Sequence, residues 1–285
     1  MITSLNNGRI RHAIQLKEKS RTRNEEGLFV AEGFKMFEEA PLSKIREIYC
    51  REDVWQRMEE SYRKAPPDKL SGIYEKLMTC QKQGTVVETV AEEVFRKLSD
   101  TQTPQGIFFL MEKMTYDLSD LLRGAGERKV QEGKRPLFLI LEDIQDPGNL
   151  GTMIRTGEGA GIAGVIMNSQ TVDIFNPKTI RATMGSIFRV PFVYVPELSP
   201  VLTQMHEKGI HTYAAHLKGK EYYDSFSFRE PTAFLIGNEG NGLTKEISDQ
   251  SGQYLKIPME GKVESLNASI AAALLMYEAH RQRKL

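Results

Sequence analysis

The sequence predicts an α/β protein of two domains, the second built on a mostly parallel, six-stranded sheet. Apolar runs at 137–141, 164–168, 191–195, 210–215, 233–236 and 254–258 have the length of strands, with helical patterns between most of them. That alternation gives a parallel sheet covered on both faces. A smaller alternation of strands and helices ends near residue 112, and from 113 to 135 the chain turns polar, with Gly124, Gly126 and Gly133 among alternating charges. The polar stretch reads as a linker.

With 285 residues, 40% apolar and 27% charged, the chain can build two ordinary soluble cores. Lys and Arg together number 38, as do Asp and Glu, so attraction to an anionic partner must come from charge distribution. Cys50 and Cys80 lack metal-ligand spacing and no signal-peptide segment precedes them. Reduced thiols in a cytoplasmic protein are expected, with no metal. No apolar run approaches a membrane span.

Residues 1–24 carry six basic residues, Arg9, Arg11, Lys17, Lys19, Arg21 and Arg23, against one acid, Glu18. Ile10, Ala13, Ile14 and Leu16 are spaced for one helix face. The basic residues are then either the solvated side of that helix or a phosphate-contacting arm. Residues 28–31 and 45–50 pattern as strands, 33–40 and 53–64 as helices, 89–97 as a helix and 106–111 as a β-like run. Glu32 and Gly33 read as a strand end and a turn, and this half holds no cluster that suggests chemistry.

The second half is organised around LFLILEDIQDPGNLGTMIR, residues 137–155. Five apolar residues suit a strand buried on both faces; Asp146, Pro147, Gly148 and Asn149 form turns; Leu150, Met153 and Ile154 recur at helical spacing. Asn149 and Arg155 therefore sit at the carboxyl end of a sheet, where open α/β sheets bind ligands. Asn176 before Pro177 signals a helix start, for a helix running through Ile180 and Met184. The last helix, 266–283, is expected to bury Ile270, Leu274 and Tyr277. It ends in Arg281, Arg283 and Lys284, which suit the negative end of the helix dipole as well as they suit RNA.

Gly159, Gly161 and Gly164 spell GxGxxG, the dinucleotide fingerprint. That fingerprint follows a strand and opens a helix, whereas these glycines close a helix and precede the strand at 164–168, so a nucleotide site is rejected. Walker A, GxSxG and HExxH patterns do not occur. Two further polar loops follow strands. FLIGNEGNGL places Gly237, Asn238, Glu239, Gly240 and Gly242 after an apolar run, and IPMEGKVESLNAS leads through Ser265, Leu266 and Asn267 into the last helix. Glycines allow close backbone approach to a ligand, and Glu239 is the one charge among them. Ser265 suits a helix cap and Asn267 its first turn, a structural reading that stands beside a functional one. Three such loops on one sheet make a site.

DPGNLGTMIRT, IGNEGNGL and IPMEGKVESLNAS resemble, in order and spacing, the three motifs of the SpoU-type (TrmH-like) branch of the SPOUT superfamily, S-adenosylmethionine-dependent RNA ribose 2′-O-methyltransferases. NPKTIRATMGSIFRVPF is similar to the stretch these enzymes carry between the first and second motifs. The match covers about 136–285; residues 25–112 resemble the small α/β ribosomal-protein-like RNA-binding domain that many of them carry in front. The resemblance implies a C-terminal trefoil knot, a homodimer, and a methyl donor held by backbone and apolar contacts at Gly237, Ile257 and Leu266.

It also implies that Arg155 is the catalytic residue, that Asn149 holds the ribose or fixes Arg155, that Glu239 organises the site, and that Ser265 and Asn267 steer the hydroxyl or the knot backbone. A guanidinium stays protonated in proteins, so orientation of the substrate phosphate and stabilisation of the developing alkoxide fit Arg155 better than the role of base. The front domain and Arg9, Arg11, Lys17, Arg21 and Arg23 would grip RNA beyond the target nucleotide. Ribosomal RNA is the expected substrate, with transfer RNA the alternative. A non-catalytic RNA-binding protein would not need Asn149, Arg155 and Glu239 together, and a small-molecule enzyme would not need the front domain.

Overall fold

The computed structural model describes residues 1–64, 66–126 and 135–284. They form two compact units, one of Met1–Met114 with Phe175–Phe188, the other of Thr115–Ile174 with Arg189–Leu285.

In the first unit, strands β1 (Leu28–Glu32), β2 (Ile45–Arg51), β3 (Val86–Val90) and β4 (Ile107–Glu112) form a sheet in the order β1-β4-β2-β3. Among the described residues, only the β2–β3 pair of this sheet is parallel. Helices α1 (Gly8–Glu18), α2 (Ser20–Glu26), α3 (Phe34–Glu39), α4 (Glu52–Tyr62), α5 (Lys69–Lys82) and α6 (Glu92–Leu98) accompany it. The helical spacing read at 89–97 overruns a strand, since Thr89 and Val90 pair with Cys50 and Arg51.

Residues 1–24 are part of this core. Ile10, Ala13 and Leu16 are fully buried among Val30, Tyr49, Val94, Phe95 and Phe108, and Ile2 donates its amide to the Thr89 carbonyl at 2.8 Å. The basic side chains separate accordingly. Arg11 is exposed, while Arg9 and Arg21 are exposed and paired with Glu88 and Glu25. Lys17 is tied to Asp100 at 2.9 Å and to the Lys97 carbonyl at 2.8 Å. Arg23 corrects the expectation of an RNA contact. It is 3% exposed, and its Nη1 donates to the Leu16 and Lys17 carbonyls at 2.8 and 3.0 Å, satisfying the end of α1.

The second unit begins with α7 (Leu118–Gly126); residues 127–134, within the expected linker, lie outside the described residues. Then come β5 (Leu137–Leu141), α8 (Pro147–Ala160) and β6 (Gly164–Asn168). Between β6 and β7 the chain contributes Phe175–Phe188, with α9 (Pro177–Thr183), to the first unit. There Phe175 lies 4.8 Å from the Phe29 ring, and Ile180 and Ile187 are buried. Asn176 caps α9 as expected, but α9 stops before Met184, which takes a left-handed conformation (φ 51°) and is exposed.

The second unit resumes with β7 (Phe192–Val195), α10 (Ser199–Glu207), β8 (His211–Ala215), β9 (Glu221–Tyr222), β10 (Thr232–Ile236), α11 (Lys245–Gln250), β11 (Gln253–Lys256) and α12 (Ala268–Lys284). Among the described residues the sheet has seven strands rather than six, in the order β7-β6-β5-β10-β8-β11-β9, and every pairing is parallel. The additional strand, β9, is two residues long. Both β5 and β10 are buried along their whole length, as strands covered on both faces must be.

The glycines of GAGIAG serve packing. Gly161 ends α8 in the left-handed region (φ 80°), and a Cβ at Gly159 or Gly164 would lie 2.8 Å from Tyr277 Oη or 2.6 Å from Leu121. The last helix reverses its expected face. Ile270, Leu274 and Tyr277 are exposed, whereas Ala268, Ala272, Leu275, Met276 and Ala279 are buried, and α12 packs on α8, β5 and β10.

Candidate active site

The loops leaving β5 and β10 and the approach to α12 meet at the carboxyl ends of adjacent strands. After β5, Asp146 caps α8 by accepting the Asn149 amide at 2.9 Å, with Pro147 in the first turn. This fixes Asn149 at the head of the helix. Its side chain then joins the other two loops, Nδ2 donating to Glu239 Oε1 at 3.0 Å and Oδ1 accepting from Asn267 Nδ2 at 2.9 Å.

Glu239 also accepts the backbone amides of Gln145 and Asp146, each at 3.0 Å. Burial alone would raise its pKa, but the donors Asn149, Gln145 and Asp146 outweigh burial and hold the carboxyl below its ordinary value. The group therefore stays ionised through neutral pH, and its bonds are lost only as pH falls through that lowered pKa. Glu239→Gln sets an amide NH₂ against a backbone N–H. A fall of about tenfold or more in methyl transfer is expected, from a cost of roughly 1–3 kcal/mol for an unsatisfied donor. Steady-state kinetics of the variant check it.

Asn267 is the cap of α12, accepting the Ser269 amide at 2.9 Å, so the helix begins at Ala268. Ser265, expected as the cap, is exposed two residues earlier. Gly237, Glu239, Ile257, Ser265 and Leu266 line one cleft of about 320 Å³, together with His216 and Lys218. At Gly237 the backbone of the second loop folds back so closely that a Cβ would stand 2.1 Å from the Gly242 carbonyl carbon. The wall is mostly apolar with a few polar groups set into it, the usual lining of a small-molecule site.

Arg155 does not join this chain of bonds. It is exposed on α8, about a turn and a half beyond Asn149, and makes no hydrogen bond or ion pair among the described residues. Its guanidinium is available to an anion.

Other participants carry only weak signals in the sequence. Asn238 Oδ1 accepts the Gly240 and Asn241 amides at 2.9 and 3.0 Å, shaping the second loop as an Asx turn that NEG could have suggested. Glu142, 5% exposed, accepts the Thr244 amide and hydroxyl, both at 2.8 Å, at the start of α11. Its signal was an acid ending an apolar strand. His216 stacks on Tyr254 with centroids 4.9 Å apart; burial, then neighbouring Lys218, lower its pKa and favour the neutral ring.

Comparison with known proteins gives the family. Residues 136–277 match the SpoU rRNA Methylase family, and residues 7–108 match the MRM3-like substrate binding domain. The 23S rRNA (guanosine(2553)-2′-O)-methyltransferase RlmP of Bacillus subtilis is 30% identical over 278 residues, 97% of each chain. The chain belongs to the SpoU family of RNA methyltransferases. The putative TrmH family tRNA/rRNA methyltransferase YacO of B. subtilis is 33% identical over 71% of this chain and 80% of its own. An AdoMet-bound rRNA methyltransferase from Sinorhizobium meliloti superposes on this SpoU protein with a TM-score of 0.79 and 28% identity, over 98% and 97% of the two chains.

Proposed function

We propose that this SpoU enzyme transfers a methyl group from S-adenosylmethionine to a ribose 2′-hydroxyl of cytoplasmic ribosomal RNA, as a homodimer with a C-terminal trefoil knot. The observation that carries the reading is the bonded chain Glu239–Asn149–Asn267 beside the cleft of Gly237, Ile257 and Leu266. Similarity to RlmP along nearly the whole chain supports ribosomal RNA. Among the described residues no group of His, Cys, Asp or Glu could hold a metal, and no helix is long and apolar enough to cross a membrane.

The cleft fits the donor, because its glycine-rich backbone offers hydrogen-bonding groups and Ile257 and Leu266 offer apolar contact. When bound, the donor supplies a methyl already activated on a sulfonium. The protein's part is then positioning and charge. Glu239 and Asn267 hold both polar atoms of the Asn149 side chain, so its rotamer is set before RNA arrives. Asn149 orients the ribose against this fixed frame, with Ser265 and Asn267 steering the hydroxyl and knot backbone. Arg155 takes the substrate phosphate in its planar fork and stabilises the alkoxide as the hydroxyl yields its proton to solvent water. Arg9, Arg11 and Arg21 contact phosphates further along the RNA; Lys17 is already engaged in an internal ion pair.

Chain order supports the knot. After β11, which lies beyond β8 at the far side of β10, the chain returns to pack α12 on α8 and β5. The dimer is supported by the apolar face that α12 leaves uncovered at Ile270, Leu274 and Tyr277. Leu274→Glu is expected to halve the mass measured by light scattering; a monomeric parent protein would reject the dimer.

Labelled methyl transfer to unmodified ribosomal and transfer RNA, with mapping of 2′-O-methyl positions, tests the whole reading. One labelled ribose in ribosomal RNA is expected. Labelling of transfer RNA alone would replace the substrate, and failure to bind the donor would reject the mechanism.

A further inference from the structure

We infer that Asn168, at the end of β6 and outside all three motif loops, is a positioning residue for methyl transfer. It acts through Asp143, and the inference rests on the site proposed above.

Asp143 occupies the left-handed region (φ 56°), one of two non-glycine residues among those described to do so, the other being Met184. Such a conformation in an L-residue persists when short polar groups hold it. Asn168 supplies them. Its Oδ1 accepts the Asp143 amide at 3.0 Å, and its Nδ2 donates to Asp143 Oδ1. Thr171 in turn fixes Asn168, donating its hydroxyl to the same Oδ1 at 2.9 Å and accepting the Ile144 amide at 3.3 Å.

The turn so held has two outputs. Immediately after it, the Gln145 and Asp146 amides point at Glu239, each at 3.0 Å. At the turn itself the Asp143 carbonyl accepts Asn238 Nδ2 at 2.9 Å, so the second loop is tied to the same residue. Asn168 therefore sets Asp143, the turn sets Glu239, and Glu239 sets Asn149. Asn168 does not line the donor cleft, which separates its effect on turnover from any effect on donor affinity.

The test compares methyl transfer to an unmodified 23S ribosomal RNA transcript, and calorimetric affinity for S-adenosylmethionine, among the parent enzyme, Asn149→Ala, Asn168→Asp and the exchange of Asn168→Asp with Asp143→Asn. Asn168→Asp faces one carboxylate with another and is expected to lower kcat by about a hundredfold, the scale of a misplaced reacting group, with donor affinity changed by less than about threefold. The exchange restores a complementary donor and acceptor and is expected to recover kcat to within about fivefold of the parent. Unchanged kcat in Asn168→Asp, a parallel loss of donor affinity, or an exchange no better than the single variant would overturn the inference.

Should Asn168→Asp not fold, Asn168→Ser carries the same expected split between kcat and donor affinity, and absence of the split overturns the inference equally. If the transcript is not a substrate, amide exchange at Gln145 and Asp146 replaces kcat as the readout. It is expected to quicken about tenfold in Asn168→Ser, and unchanged exchange overturns the inference. Full activity in Asn149→Ala would instead reject the site reading itself, whereas loss there with normal Asn168 variants rejects only the role of Asn168.

Discussion

Arg155→Lys is expected to keep the fold and the donor affinity and to lose methyl transfer by about a hundredfold or more, equivalent to roughly 2.7 kcal/mol of transition-state stabilisation. Arg155 is exposed on α8 and bonded to none of the described residues, so its replacement leaves no internal group unsatisfied. The loss then reports the substrate interaction alone. A planar fork can hold two phosphate oxygens, or a phosphate and a developing alkoxide, in one geometry; an ammonium on a flexible stem retains the charge without the fork. Steady-state kinetics with donor and RNA both saturating check this, because saturation removes any contribution from binding. A kcat within about threefold of the parent would mean that only the charge matters.

Gly237→Ala is expected to abolish measurable donor binding while leaving the first unit intact. The added Cβ would stand 2.1 Å from the Gly242 carbonyl carbon and 2.2 Å from the Leu243 amide nitrogen, both backbone atoms that no rotamer change can move. Overpacking of this kind costs about 1–3 kcal/mol when side chains can yield, and here the second loop itself must shift. Because that loop forms a wall of the cleft, its displacement is expected to weaken donor affinity by at least about a hundredfold, or roughly 2.7 kcal/mol. Calorimetry measures it, with thermal denaturation as the control for folding.

How much of this was legible in sequence depended on where the deciding contacts come from. The strands at 137–141 and 164–168 were read to the residue, since both are apolar runs bounded by turn formers and buried in a parallel sheet. β9 was missed because two residues make no pattern. The last helix was read inside out. Its bulky apolar residues, Ile270, Leu274 and Tyr277, suggested the buried stripe, yet the side that packs is rich in alanine. Small side chains let helices approach closely, and hydrophobicity alone does not report that. In the site, Asn149, Glu239 and Asn267 could be picked out through family resemblance. Asn168 could not, because its value lies in a neighbouring strand's turn 25 residues earlier, a relation that no local pattern records.

The first unit is discontinuous, and synthesis runs in one direction. Met114 leaves the ribosome with Phe29 still lacking the Phe175 ring, and Gly185 has yet to settle beside Glu39. Between those moments the ribosome must produce the sequences of β5, α8 and β6, so the first unit is completed only after part of the second has been synthesised. The nascent protein thus has no stage at which a finished first unit precedes the sequence of α8, the helix that carries Asn149 and Arg155.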